Sequence, residues 1–250
     1  MSKLLICIDF QNDFLEGGAL EVTGGKDDVE RTINYIKSHK IDKIICSLDT
    51  HTKNQIFHRC YWKNSEGANP EIYTIITKED VENGKWIPVN GNKEYAISYL
   101  DEIQNKGKKS LCIWPYHCLI GTSGAALEEN LAKVVYEHDN LFVQKGMDPD
   151  TEMYGIIKPE YDTGYINKDV LDEIKKYDEI YIAGEAKSHC VIESVKQIVD
   201  YYSNEPEIIT KITVLNDCMS SISGFEETTE NEFQELVNRG IKLINSTNID

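Results

Sequence analysis

The stretch Glu179-Ile180-Tyr181-Ile182-Ala183-Gly184-Glu185-Ala186-Lys187-Ser188-His189-Cys190-Val191 sets the architecture. Its first five residues read as a buried strand and the next few as a short turn. A helix is expected from near residue 187 to about residue 202. Cys190 then falls in the first turn of that helix, where unpaired N–H groups and the positive end of the dipole lower a thiol pKa. Ser188 and His189 are expected to point away from it. A cysteine so placed, at the carboxyl end of a central α/β strand, is a candidate nucleophile, although most buried cysteines are inert core residues.

Outward from this stretch, the same pattern repeats. Residues 4–8 form a continuous apolar run ending in Asp9, residues 43–48 a run ending in Asp49-Thr50-His51, and residues 141–144 one ending in Lys145-Gly146. Residues 211–215 and 241–244 read as further strands. Helical spacing marks residues 27–37, 95–104, 125–135, 167–176 and 227–238. Strands alternating with helices predict a three-layer α/β/α fold with a central, mainly parallel, Rossmann-like sheet, whose site gathers at one edge. Asp9, Lys145 and Cys190 stand at that edge on three different strands.

An extended Asp49-x-His51 puts both side chains on one side of the backbone, and His58 follows in the next loop. Carboxylate and imidazole together suit Zn²⁺, Mn²⁺ or Fe²⁺. Trp114-Pro115-Tyr116-His117-Cys118 adds an aromatic, a rigid turn and a further histidine beside a glycine-rich loop. Residues 60–108 are a different kind of text, with Asn-Gly turns among short apolar pieces. They read as an insertion of about 60–108 in a single domain of residues 1–250, placed to overhang the site.

The chain has 250 residues, 40% of them hydrophobic, and a net charge of −17. That content suffices for one large domain, and the charge argues against nucleic acid or an anionic membrane as partner. The apolar run before Asp9 is too short for a signal peptide or a bilayer span. Seven cysteines without regular spacing do not form a disulfide framework. A reduced, cytoplasmic enzyme is expected.

Taken together, Asp9-Phe10-Gln11-Asn12-Asp13-Phe14 with Gly17-Gly18, Asp49-x-His51, Trp114-Pro115-x-His117-Cys118 with Gly121-Thr122, Lys145-Gly146 and Gly184-x-Ala186-x-x-x-Cys190-Val191 resemble the isochorismatase-like cysteine hydrolases, in particular their nicotinamidase (pyrazinamidase) branch. The resemblance implies a catalytic triad of Asp9, Lys145 and Cys190, and an oxyanion hole from the backbone N–H groups of Ala186 and Cys190. It implies one divalent transition metal (Zn, Fe or Mn) on Asp49, His51 and His117. His58 is similar to a further ligand of some members, at a spacing from His51 one residue longer. Phe14 and Trp114 resemble the aromatics that sandwich the substrate ring, and the bond between Glu185 and Ala186 is expected to be cis. The implied reaction is hydrolysis of nicotinamide or a close heteroaromatic carboxamide to the acid and ammonia through a Cys190 thioester, in NAD salvage. The partner is then a small-molecule amide. The family often forms homo-oligomers, but no heptad seam or repeat here specifies one.

Two departures bear on substrate choice. Residues 60–108 are longer than the corresponding link in compact nicotinamidases, and Glu185 is expected to bring a charge beside the pocket. Three other readings stay open: a superfamily amidase or carbamoyl hydrolase with a different small amide, a metal-dependent hydrolase in which Cys190 is not the nucleophile, and a non-catalytic ligand-binding protein.

Overall fold

The computed structural model describes residues 1–105 and 109–249. The chain opens with β1 (Lys3–Ile8), α1 (Gly25–Ser38) and β2 (Lys43–Asp49). A long excursion follows, containing β3 (Trp62–Lys63), β4 (Ile75–Ile76), α2 (Lys78–Glu82), β5 (Ile87–Pro88), α3 (Lys93–Asn105) and β6 (Leu111–Cys112). The main fold resumes with α4 (Glu129–Val135), β7 (Asp139–Lys145), α5 (Lys168–Ile174) and β8 (Glu179–Gly184). It closes with α6 (Ile192–Tyr201), α7 (Pro206–Ile209), β9 (Ile212–Leu215), α8 (Glu226–Asn238) and β10 (Lys242–Ile244).

Six strands form one sheet in the order β10-β9-β8-β1-β2-β7, and every pairing is parallel. The expected mainly parallel sheet is therefore wholly parallel. Strand alternation splits the core into two layers. Leu4, Ile6 and Ile8 of β1 face α5, α6 and α8, whereas Leu5 and Cys7 face α1 and α4. The strand order reverses between β1 and β8, so the crevice beyond their carboxyl ends is where a doubly wound sheet places its ligand. Asp9 and Glu185 are the first residues past those two ends.

The expected helix over residues 187–202 divides in two. Lys187–Val191 is a π-helical turn and α6 begins at Ile192. Residues 60–105 form elements of their own rather than an open loop. β3 pairs with β5, β4 pairs with β6, and a Thr77–Asp80 capping box starts α2. Residues 106–108, the end of the expected insertion, lie outside the described residues. The segment buries Tyr61, Trp62, Tyr99 and Leu100 in a third apolar cluster that also contains Phe14, Trp114 and Ala186. It is therefore packed directly behind the sheet's carboxyl edge. All seven cysteines are free. Among the described residues, no helix is long and apolar enough to cross a membrane.

Trp62 is fully buried and donates its Nε1–H to the Ile56 carbonyl at 2.6 Å. Trp62→Ala is expected to cost about 3–5 kcal/mol of stability, read as a lower urea midpoint, because the cavity cannot collapse around so large a loss.

Candidate active site

The chain leaves β1 through Asp9, whose φ of 46° turns its carboxylate into the interior, where it is fully buried. Ser47 on β2 donates its hydroxyl to Asp9 Oδ1 at 2.6 Å. Lys145, the last residue of β7, brings Nζ to 2.9 Å from Asp9 Oδ2. The same ammonium donates to Asp49 Oδ1 at 3.0 Å and to the Met153 carbonyl at 3.0 Å, and lies 3.6 Å from Cys190 Sγ. The structure thus brings Asp9, Lys145 and Cys190 together around one buried cation.

Cys190 owes its place to two local features. Gly184 at the end of β8 has φ 146°, and a Cβ there would run into the Ile8 backbone, so the close approach of β8 to β1 requires glycine. Beyond it the Glu185–Ala186 peptide is cis, as the resemblance implies. The Val191 N–H then reaches the Ala186 carbonyl at 3.2 Å, five residues back, which gives the turn its wide π-helical pitch.

One expectation is corrected here. Burial pushes the Cys190 thiol well above its ordinary range, against the pull of Lys145, and the nearby Asp9 and Asp49 add to the rise. The helix end does not prevail, because the sulfur lies in a dry site beside two carboxylates. Burial also raises Asp9, with Lys145 opposing. For Lys145 burial disfavours the charge, but Asp49 and Asp9 outweigh it and hold the ammonium well above its ordinary pKa. The resting arrangement is a thiol next to a carboxylate base and a fixed cation.

The second cluster shares Asp49 with the first. Gln11 clamps the Asp49 backbone, donating to its carbonyl at 2.7 Å and accepting its N–H at 2.6 Å. The following loop runs alongside the Trp114–Leu119 segment, with Trp114 N–H bonded to the Phe57 carbonyl at 2.8 Å and His51 N–H to the Cys118 carbonyl at 3.0 Å. These bridges gather three histidines. Ring centroids lie 4.9 Å apart for His51 and His117, 5.7 Å for His58 and His117, and 5.9 Å for His51 and His58.

Each of the three turns Nδ1 to a backbone carbonyl: His51 to Gly146 at 3.0 Å, His58 to Lys53 at 3.2 Å and His117 to Pro115 at 2.8 Å. A carbonyl only accepts, so the hydrogen sits on Nδ1 and Nε2 is left as the ligating atom. Asp49 Oδ2 lies 3.0 Å from His51 Nε2 and 3.8 Å from His117 Nε2. His58 Nε2 is buried with no hydrogen-bond partner, an orphaned donor atom beside a carboxylate-imidazole group. Burial, with His117 and His51 adding, pushes His58 down to about 3, so its imidazole stays neutral. A carboxylate and imidazole nitrogens with fixed tautomers fit a divalent transition ion.

Between the clusters opens a pocket whose lining includes Phe14, Trp114, Phe57, Ala186 and Cys190. Phe14 meets the His117 ring edge at 5.6 Å. Trp114 is tied by its Nε1–H to Glu152 Oε1 at 3.0 Å, and burial raises that carboxyl to about 7. His189 also lines the pocket, 5.5 Å from the Trp114 ring. One further expectation is corrected. Glu185 brings no charge to the pocket, since its side chain is buried toward α1. Ser47, Gln11 and Glu152 were not singled out by the sequence. Gln11 carried a signal through its place in the Asp9–Phe14 motif and Ser47 as a polar residue in a buried strand, whereas Glu152 carried none.

No family model matches the chain. A nicotinamidase of Saccharomyces cerevisiae is 24% identical over 226 residues, 84% of this chain and 93% of the relative. A nicotinamidase of Escherichia coli is 23% identical over 247 residues, 96% of this chain and 93% of the relative. The chain resembles the nicotinamidases in sequence and in fold. Among solved structures, the Acinetobacter baumanii nicotinamidase–pyrazinamidase superposes with a TM-score of 0.70 at 19% identity, over 98% of this chain and 97% of that one. The Pyrococcus horikoshii pyrazinamidase, solved in complex with zinc, superposes with a TM-score of 0.58 at 21% identity, over 98% and 99%.

Dialysis against Zn²⁺ followed by elemental analysis tests the three-histidine cluster. His51→Ala is expected to abolish stoichiometric retention, and His58→Ala to weaken affinity at least about tenfold. Undiminished affinity in His58→Ala would remove that residue from the ligand set.

Proposed function

We infer that the chain is an amidohydrolase that converts nicotinamide, or a close heteroaromatic carboxamide, to the acid and ammonia through a thioester on Cys190. The observation that carries this reading is the buried Lys145 ammonium in simultaneous contact with Asp9 and with Cys190, which lines an aromatic pocket. The nicotinamidase relatives supply the substrate class, and deamidation of nicotinamide would serve NAD salvage.

The chemistry follows from the residue types. As Cys190 Sγ attacks the carboxamide carbon, Asp9 takes the thiol proton, and Lys145 offsets the negative charge that passes between them. A thiol above its ordinary range makes this concerted transfer the natural course, because no standing thiolate is needed. The backbone N–H groups of Ala186 and Cys190 hold the developing oxyanion. Asp9 returns its proton to the departing nitrogen, ammonia leaves and the acyl group stays on sulfur. A water that gives a proton to Asp9 then attacks the thioester, and the acid departs as Cys190 regains its hydrogen. Phe14 and Trp114 flank the ring and orient the amide.

Asp49, His51 and His117 would hold a divalent cation, with His58, whose Nε2 is buried and unpartnered beside them, as a further ligand; the P. horikoshii pyrazinamidase solved in complex with zinc supports a metal in this fold. When bound, such an ion would supply Lewis-acid binding of the substrate. In this reading the histidine cluster serves to orient the substrate and Cys190 breaks the bond. The rival in which a metal-bound water is the nucleophile ranks the two the other way.

Ammonia release from nicotinamide by the purified protein separates them. Cys190→Ala is expected to lose at least about a thousandfold in kcat, because no neighbouring side chain supplies a nucleophile. Near-normal turnover in that variant would reject the cysteine mechanism. The pH profile gives a second check. Asp9 must be ionised to accept the proton, and its pKa is raised, so the acid limb of kcat/KM should fall above the ordinary carboxylate range. An acid limb at or below that range would contradict the role of Asp9.

A further inference from the structure

The mechanism leaves one buried acidic pair unused. Glu185, in the turn between β8 and Cys190, is fully buried, and its Oε1 has no hydrogen-bond donor. That oxygen lies 3.4 Å from where a Cβ on Gly25 would stand, at the start of α1. Glu185 Oε2 has the Ser220 N–H at 3.4 Å. On α1 itself Asp28 is 1% exposed; its Oδ1 meets the Arg31 guanidinium at 2.6 Å, and its Oδ2 also lacks a donor. Asp28 Oδ2 lies 3.9 Å from where a Cβ on the adjacent Gly24 would stand, so both orphaned carboxyl oxygens face the same first residues of α1.

The surrounding charges leave this pair of oxygens without a cation. Arg31 is committed to Asp28 Oδ1 and to the Asp217 carbonyl. Glu16, from the preceding loop, accepts the Gly24 and Lys26 N–H groups at 2.8 and 2.9 Å and adds a further negative charge. Asp27 and Lys26 belong to the first turn of α1, and Asp217 and Cys218 to the loop after β9. Among the described residues no lysine or arginine forms an ion pair with Glu185. Two ionised carboxylates in contact in a dry site would repel strongly, and a metal ion between them would face the positive end of α1. One hydrogen between the two resolves both difficulties.

We propose that Glu185 and Asp28 share one proton, with Glu185 the neutral acid donating from Oε1 to Asp28 Oδ2, and that this bond fixes the turn bearing Ala186 and Cys190 onto α1. Glu185 is thereby a positioning residue for the nucleophile, a role that rests on the cysteine-hydrolase reading above. Burial pushes its carboxyl well above the ordinary range, with Asp28 adding to the rise, in keeping with a neutral acid. Arg31 occupies Asp28 Oδ1, which leaves Oδ2 as the oxygen free to accept from Glu185.

A group whose folded pKa is raised holds a proton that the unfolded chain has already lost. The stability it contributes is complete below the ordinary carboxyl range and fades as pH climbs toward the folded value. Thermal unfolding of the whole chain between about pH 5 and pH 9 therefore tests the shared proton without reference to activity. The wild-type midpoint should fall with pH relative to Glu185→Gln, whose amide N–H can donate to Asp28 without titrating. The infrared difference spectrum near neutral pH, wild type minus Glu185→Gln, should carry the carbonyl stretch of a protonated carboxyl group, since Glu152 and the other buried acids are common to both proteins and cancel. Parallel midpoint curves together with no such band would overturn the shared proton. The positioning role is read separately, with nicotinamide as substrate. Glu185→Ala should lower kcat about ten- to a hundredfold, and Glu185→Gln should restore most of it. Wild-type kcat in a folded Glu185→Ala would overturn that half, whereas a wild type inactive toward nicotinamide would instead count against the substrate reading and leave the infrared and unfolding results standing.

Discussion

Everything at the carboxyl edge of the sheet depends on a single buried ammonium. Lys145 has no exposed side-chain surface, and a lone charge so placed would be very costly. It persists because Asp9, Asp49 and the Met153 carbonyl accept from it, and those acceptors come from three different segments of the chain. Asp9 belongs to the cysteine side of the pocket and Asp49 to the histidine side. Lys145 therefore locks the two clusters at a fixed separation, and it does so from β7, two strands away from β1 in the sheet. The same dryness that makes the ammonium depend on its partners raises the Cys190 thiol and the Asp9 carboxyl.

Much of this was legible before any coordinates. Continuous apolar runs of four to six residues separated by helical spacing are what a doubly wound parallel sheet demands, and such a sheet leaves little choice about where a site forms. Asp9, Asp49, Lys145 and Cys190 could be singled out because each follows, or closes, a strand at its carboxyl end. Their mutual contact follows from strand order: β8, β1, β2 and β7 are consecutive neighbours in the sheet. His51 and His117 stood out through short motifs. His58 depends on the bridge between its own backbone and that of Trp114, a pairing across more than fifty residues that no local pattern encodes.

The misreadings have two causes. The sequence gives side-chain direction only when the local backbone is regular. An ordinary turn leaves Glu185 near the substrate, and the observed one buries it against α1. The thiol was misjudged for a different reason. Helix-end electrostatics is a local property, whereas desolvation sums over every neighbour, including Asp9 and Asp49, which are remote in sequence. Glu152 escaped for the same reason, since an acidic residue in a loop after a strand reads as solvated until Trp114 and Tyr154 are seen packed upon it.

The most direct test of the central claim is to quench the protein in acid during turnover of nicotinamide and map any added mass by peptide analysis. A nicotinoyl group on the peptide carrying Cys190, discharged when substrate is exhausted, is the expected result. Product accumulating with no acyl adduct at any time, or with the adduct on another residue, would contradict it.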